Sequence, residues 1–334
     1  MKAAPPSTAE DYCAWYGDAR EGVLYFGEAA FWSAMRAHGG DPRGDMAISG
    51  PQFVGRFDLR AERMLPALDV TAPGARSGVW DVHAHPNGLV YYTTFYEAMG
   101  AVDPATGKVR RFPELGLGLN EIAAGPGDSI LVTRYAATGP ESGEPGSLLV
   151  VSPEGTLIAE HSLPAPAGYV AAPKTPALDT ATGDYWITAD LLPKTESGTP
   201  GNETFVLGPN GTARRRIETP EIQFVADGVG TGFLRAERTG SKLDLVHPSG
   251  RVVIDANFAV DFDFAQDVKP SRDAETVVTQ WSGLIHRVTA DGAVRTHQFP
   301  KLEDGGLYYT GVQTGDRICA TYCAGVQVIC STVP

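Results

Sequence analysis

Three stretches of the chain repeat one another residue type by residue type, and this repetition restricts the fold more than any other feature. They are Asp81-Val-His-Ala-His-Pro-Asn-Gly-Leu-Val-Tyr-Tyr-Thr93, Glu121-Ile-Ala-Ala-Gly-Pro-Gly-Asp-Ser-Ile-Leu-Val-Thr133 and Asp267-Val-Lys-Pro-Ser-Arg-Asp-Ala-Glu-Thr-Val-Val-Thr279. Each opens with an acid followed by an apolar β-branched residue, crosses a polar turn and runs as an apolar strand to a threonine. An aromatic residue follows two positions on: Phe95, Tyr135 and Trp281. Looser copies lie at Pro176 to Thr188, Gln223 to Arg235 and, after a small shift, Tyr309 to Thr321. Gly22 to Glu28 resembles Gly88 to Thr94.

A second signature trails the copies. Asp103-Pro-Ala-Thr-Gly107, Ser152-Pro-Glu-Gly155, Gly208-Pro-Asn-Gly211, His247-Pro-Ser-Gly250 and Thr289-Ala-Asp-Gly292 are hairpin turns with Pro or Ala early and Gly late. Each unit thus reads strand, turn, strand, loop, strand, Gly turn, strand. Units begin near residues 11, 79, 119, 174, 221, 264 and 307. A four-stranded unit every ~40–55 residues is the mark of a propeller blade. The expected fold is all-β: one β-propeller over residues 11–334 behind a flexible N-terminal stub at 1–10, with seven four-stranded blades, six being the alternative. The last unit ends without a Gly turn and fourth strand. Either an N-terminal segment supplies that strand or the last blade is short.

Composition agrees. Gly 39 and Pro 25 suit many turns, and 43% hydrophobic residues supply a large core. The net charge of −13 argues against nucleic acid, which needs a basic face. The one dense basic run, Arg214-Arg215-Arg216, reads as the outer edge of a strand. No run reaches the ~18 apolar residues of a membrane span. The start lacks the apolar core of a signal peptide but resembles the stub left after cleavage, so a periplasmic or secreted location is expected, with the cytoplasm as the alternative. Were Ala324-Gly325 a hairpin turn, Cys319 would face Cys330 across it, a spacing that suits a disulfide. Cys13 and Cys323 would then tie the chain ends. Four buried thiols are the other reading.

In a propeller the first strand of each blade lines the channel. Three insertions, 36–51, 136–146 and 191–202, fall on the face where those strands start, which marks a binding face. The aligned starts are Asp81, Glu121, Gln223 and Asp267, preceded by Trp80, Asn120, Ile222 and Gln266. Second strands end on Glu28, Thr94, Arg134, Asp190, Glu237, Gln280 and Tyr322. Glu28, Asp81, Asn120, Glu121, Gln266 and Asp267 therefore gather at the channel mouth. Oxygen donors in that number suit a hard cation, Ca²⁺ above all. The alternatives are ion pairs with Arg134 and Lys269, or hydrogen bonds to the neighbouring blade. His83 and His85, two apart on one strand face, offer an imidazole base or ligand. No Gly-x-Ser-x-Gly, phosphate loop or His-Glu-x-x-His is present. Asn202-Glu-Thr204 and Asn210-Gly-Thr212 match the glycosylation pattern.

Tyr25-Phe-Gly-Glu-Ala-Ala-Phe-Trp32 resembles the Gly-Glu-x-x-x-Trp opening of the SMP-30/gluconolactonase-like propellers, a group similar to the paraoxonases. Leu119-Asn-Glu-Ile-Ala-Ala-Gly-Pro-Gly-Asp128 resembles their Asn-containing first strands, and also NHL and streptogramin-lyase-like repeats. The resemblance implies a channel Ca²⁺ held by Glu28, Asn120 and Asp267. It also implies hydrolysis of lactones, aryl esters or phosphotriesters. The chain departs from that group in placing Glu28 at a second-strand end, in carrying Thr175-Pro176 where another Asn belongs, and in its unit count. The leading expectation is a metal-dependent hydrolase of a small-molecule substrate. His83, Asp267 or Glu121 would serve as base or nucleophile, and Arg134 and Tyr322 would steady negative charge. A streptogramin-lyase-like C–O lyase and a non-catalytic binding propeller are the alternatives.

Overall fold

The computed structural model describes residues 12–30, 51–75, 78–94, 97–135, 144–194, 199, 201–218, 222–226, 233–239, 242–247, 250–255, 265–270, 275–280, 282–289, 293–300, 307–323 and 326–332. Nearly all of them lie in strands. Meanders of antiparallel strands form sheets over residues 12–69, 79–111, 119–162, 169–218, 222–255, 265–298 and 307–332, numbered here 1 to 7. Six of these sheets have four strands; sheet 7 has three among the described residues.

The first strands are Tyr12–Arg20, Val79–Ala84, Leu119–Ala124, Tyr169–Asp179, Ile222–Ala226, Ala265–Pro270 and Leu307–Thr314. Each packs beside the first strand of the next sheet, and that of sheet 7 packs beside that of sheet 1. This is the architecture of a β-propeller. Six of the seven starts fall within a residue or so of the unit starts read from the sequence. The exception is sheet 4, whose first strand begins five residues early, at Tyr169. Its second strand, Asp184–Pro193, and third, Gly201–Leu207, extend with it. Part of the insertion at 191–202 is therefore strand rather than loop.

The core lies between consecutive sheets. Val82, Ala84 and Tyr92 of sheet 2 pack on Tyr25, Val54 and Leu68 of sheet 1. Tyr91 and Phe112 meet Ile122, Ile130 and Leu149 of sheet 3. Leu131 and Leu148 meet Ile187 and Phe205 of sheet 4. Val277 and Ile285 of sheet 6 meet Tyr308 and Ile318 of sheet 7. At the junction of sheets 7 and 1, Val312 and Cys319 pack on Ala14, Leu24 and Phe26. Strands buried on both faces read as apolar runs rather than strict alternation, which is why Ile130–Arg134 and Ser147–Val151 are so hydrophobic.

Outer strands carry the charge. Ala213–Glu218 bears Arg214, Arg215 and Arg216 on the outer edge of sheet 4, paired with Asp184, the Trp186 ring and Glu203. Cys319 and Cys330 face each other across the last two strands and form a disulfide with Cα atoms 4.0 Å apart. The side chains of Cys13 and Cys323 lie outside the described residues.

Candidate functional site

Six of the seven first strands share one irregularity. Near its start each places two residues opposite one on the second strand, a β-bulge. The pairs are Trp15-Tyr16 against Gly27, Trp80-Asp81 against Thr93, Asn120-Glu121 against Thr133, Lys174-Thr175 against Thr188, Gln266-Asp267 against Thr279 and Tyr309-Thr310 against Thr321. Sheet 5 alone keeps a continuous register. A bulge re-aims side chains and is enriched beside functional sites.

The repeated threonine has a physical role here. A bulge leaves a backbone N–H without a ladder partner, and a buried orphan costs free energy. Thr133 Oγ1 accepts from Glu121 N at 3.1 Å, Thr188 Oγ1 from Thr175 N at 3.2 Å and Thr321 Oγ1 from Thr310 N at 3.0 Å. The same hydroxyl reaches the next sheet: Thr93 donates to the Asn120 carbonyl, and Thr321 to the Trp15 carbonyl at 3.2 Å. Sheet 1 has Gly27 instead, because a Cβ there would meet the Val79 carbonyl at 2.5 Å.

The second residue of four of the bulges, Asp81, Glu121, Thr175 and Thr310, also bonds the neighbouring sheet. Asp81 accepts from Val82 N at 2.8 Å and, with its other oxygen, from Ile122 N of sheet 3 at 3.0 Å. Glu121 Oε2 accepts from Thr175 Oγ1 of sheet 4 at 2.6 Å. Thr310 Oγ1 accepts from Gly17 N of sheet 1 at 2.9 Å. One step below, Asp18 accepts from Ala84 N of sheet 2 at 3.0 Å. These groups form a belt that ties sheet to sheet, so the buried oxygens of Asp81 and Glu121 are engaged already. Gln266 and Asp267 occupy the bulge of sheet 6, and their side chains lie outside the described residues. Glu28 is buried opposite Ala14. Among the described residues no three His, Cys, Asp or Glu side chains gather as a metal site.

The first residues of the bulges, Tyr309, Trp15, Trp80, Asn120, Lys174 and Gln266, form a ring at the strand starts with two unlike halves. On sheets 7, 1 and 2 it is aromatic: Trp15 lies 4.8 Å from both Trp80 and Tyr309, centroid to centroid. On sheets 3 and 4 it is polar. Asn120 Nδ2 donates to the Pro173 carbonyl at 3.0 Å, while its Oδ1 is buried without a partner. Lys174 pairs with Asp190 at 2.8 Å. Burial, then the charges of Asp190 and Glu121, push the Tyr135 hydroxyl above its ordinary pKa, so it stays a hydrogen-bond donor.

Below the aromatic half sits a histidine–carboxylate pair. His83 Nδ1 lies 2.9 Å from Asp18 Oδ2, and its Nε2 is buried without a hydrogen-bond partner. A carboxylate accepts only, so Nδ1 carries a proton, and in the neutral ring the lone pair is then on Nε2. This is the arrangement of a base held by an orienting acid. His85 differs: both ring nitrogens are used, one with the Asp128 carbonyl at 2.9 Å and one with Asn87 N at 3.1 Å. Arg134 reaches outward to Glu160 on the outermost strand of sheet 3. Tyr322 is buried beside Tyr308, 6.0 Å between rings. The structure thus brings Trp80, Asn120 and Glu121 to one level, and His83 just beneath.

Sequence reasoning passed over Trp15, Tyr16, Asp18, Lys174 and Tyr309. The threonine spacing was the available signal, and it fails in sheet 1, where Gly27 replaces the threonine.

Among known proteins, the solved structures that match along nearly the full length include two lyases. One is a catalytically inactive histidine-to-alanine variant of virginiamycin B lyase from Staphylococcus aureus with quinupristin; it has 14% identity, a TM-score of 0.61, and covers 98% of this chain and 97% of that one. The other is a streptogramin B lyase with 14% identity and a TM-score of 0.59, covering 97% and 95%. The chain shares their fold. No family model matches it, and no curated protein does.

Proposed function

We propose that the chain is a propeller enzyme, one blade to each of the seven sheets, that breaks a carbon–oxygen bond of a small ester by elimination at the channel mouth. The His83–Asp18 pair carries this reading. In the reaction His83 Nε2 takes a proton from the carbon next to a carbonyl. Its electron pair forms a carbon–carbon double bond, the neighbouring carbon–oxygen bond breaks, and a carboxylate leaves. No water is consumed. Asp18 holds the Nδ1 proton and stabilises the imidazolium that forms. Tyr135, kept protonated by burial and by the charges of Asp190 and Glu121, is the donor proposed for the oxygen that gains charge. The likeness to streptogramin lyases supports the reading at the level of fold, which alone does not choose a chemistry.

The test is product analysis with quinupristin and with simpler cyclic esters whose ester oxygen sits on the carbon beta to a carbonyl. Elimination gives a ring-opened product of unchanged mass that carries a new double bond. Hydrolysis adds one water and takes label from heavy-oxygen water. Replacing His83 by Ala is expected to lower turnover about 100-fold or more, the ordinary worth of a positioned base. Full activity in that variant would overturn the assignment. The competing calcium hydrolase of the SMP-30 type needs Glu28, Asn120 and Asp267 to converge on a cation. One equivalent of Ca²⁺, with hydrolysis abolished by EDTA, would favour it.

A further inference from the structure

The chain holds the tripeptide Pro-Asn-Gly twice, at 86–88 and at 209–211. The first joins strands one and two of sheet 2, and the second joins strands three and four of sheet 4. Both turns therefore lie at the end of their sheets away from the mouth. An asparagine before a glycine has a reaction open to it that needs no enzyme. The glycine nitrogen attacks the side-chain carbonyl carbon, and a glycine, having no Cβ, leaves that approach unhindered.

The two turns are closely matched. Both asparagines are exposed. Gly88 N donates to the His85 carbonyl at 3.0 Å, and Gly211 N to the Gly208 carbonyl at 2.8 Å. Asn87 Oδ1 accepts from Leu89 N at 3.0 Å, and Asn210 Oδ1 from Thr212 N at 3.1 Å. Each side chain is thus curled back over the peptide that follows it, which brings its carbonyl carbon towards the glycine nitrogen. The glycines are held by φ of 89° and 79°, and at Gly211 a Cβ would also meet His161 Nδ1 at 2.0 Å. The side-chain amide nitrogens are where the turns differ. Asn87 Nδ2 donates to Tyr91 Oη at 2.9 Å, and Tyr91 Oη donates to the Pro153 carbonyl of sheet 3 at 2.8 Å. Among the described residues, Asn210 makes its side-chain hydrogen bond through Oδ1, and its Nδ2 donates to none.

We infer that Asn210 is a site of spontaneous deamidation in the folded protein, and that its bond to Tyr91 protects Asn87 in the same tripeptide. At Asn210 a bond forms between Gly211 N and Cγ, and the Cγ–Nδ2 bond breaks. The proton from Gly211 N leaves with Nδ2 as ammonia, and a five-membered imide remains. Water then opens the imide at either carbonyl to give aspartate or isoaspartate. Nothing is oxidised or reduced, and water is the only co-reactant. Asn87 must give up its bond to Tyr91 to follow the same path. A new carboxylate at position 210 has a cation to face. A Cβ added at Gly208 would lie 2.8 Å from Arg214 Nε and 3.3 Å from Asn210 Oδ1, so the two groups border one point. Arg214 also pairs with Asp184 at 3.1 Å and would then be shared. Isoaspartate instead adds a backbone atom to a turn closed by Gly208 N and the Thr212 carbonyl at 2.8 Å.

The test follows both asparagines in one sample. The intact folded chain is incubated at neutral pH, digested under mildly acid conditions and mapped by mass spectrometry. The same incubation in urea gives the rates without the turns, and there the two asparagines are expected to convert alike. In the folded chain Asn210 is expected to convert about fivefold or more faster than Asn87, the factor that one ordinary hydrogen bond supplies. Isoelectric focusing should show an added acidic band that Asn210→Gln lacks. Tyr91→Phe is expected to close the gap by speeding Asn87 alone. Should Tyr91→Phe fail to fold by circular dichroism, the ratio of folded to urea rates at each asparagine in the parent carries the comparison. Equal rates in the folded parent, a faster Asn87, or an Asn210 that converts in urea but not in the folded chain overturns the inference. A folded Tyr91→Phe that leaves Asn87 unchanged overturns the protection assigned to Tyr91.

Discussion

A single hydroxyl facing a bulge does two jobs in this fold, and the copies are not equal. Thr133 Oγ1 accepts from the Glu121 backbone N–H at 3.1 Å. Thr279 stands at the same place in sheet 6, yet its Oγ1 is buried without a partner. Valine keeps the shape and removes the hydroxyl. Thr133→Val is therefore expected to cost about 1–3 kcal/mol, because it strands a buried donor. Thr279→Val is expected to be neutral or stabilising. Urea denaturation of the two variants checks this, and equal losses would refute the role given to the hydroxyl. A second residue-scale outcome concerns His286, fully buried in sheet 6, with Nδ1 2.9 Å from Thr296 Oγ1. Burial pulls its pKa down to about 4 from 6.5. The folded state therefore binds the proton less readily than the unfolded one. Its share of stability is complete above about pH 6.5, is lost as pH falls towards 4, and amounts to about 3 kcal/mol across that window. Urea midpoints for His286→Leu measured from pH 7 to 4 should fall less steeply than those of the parent; parallel curves would show that other groups set the acid response.

At the scale of the strand, the repeat was legible because each element answers a local demand. The acid, the turn and the threonine recur twelve residues apart because the bulge and its partner recur. The Gly turns recur because Gly107 and Gly155 adopt positive φ, 72° and 87°, where other residues are strained. The facing of Cys319 and Cys330 followed from the two-residue spacing of a hairpin. The bulge itself was not legible. It lets two successive residues both leave the regular alternation, so Trp80 and Asp81 take different tasks although strict period-two counting gives the inward place to only one of them. That is why the acids stood out as candidate ligands while two of them, Asp81 and Glu121, hold the next sheet. It is also why Trp80, directly ahead of Asp81, drew little notice. Asp18 was hidden for another reason. Its partner, His83, is 65 residues away, on the next sheet, and no local pattern joins them.

At the scale of the molecule, a closed ring behaves differently from an open stack of the same units. In a linear array each unit touches only its neighbours, and damage stays local. Here sheet 7 packs on sheet 1 through Val312, Cys319, Ala14, Leu24 and Phe26, and Gly17 and Thr321 bond across the same junction. No sheet is terminal, so losing one interface leaves two raw apolar faces that the remaining sheets do not cover. Phe26 and Ile187 are both fully buried, the first at the junction of sheets 7 and 1 and the second between sheets 3 and 4, on opposite sides of the ring. Phe26→Ala is expected to cost about 3–5 kcal/mol and Ile187→Ala about 2–5 kcal/mol. Each should lower one shared calorimetric transition rather than split it, with near- and far-ultraviolet dichroism falling together. A separate early transition in Phe26→Ala alone would mean that the junction opens on its own and that the ring is held at a seam. In that case the mouth, whose aromatic half straddles the same junction, would be the least stable part of the fold, and substrate binding should raise the early transition first.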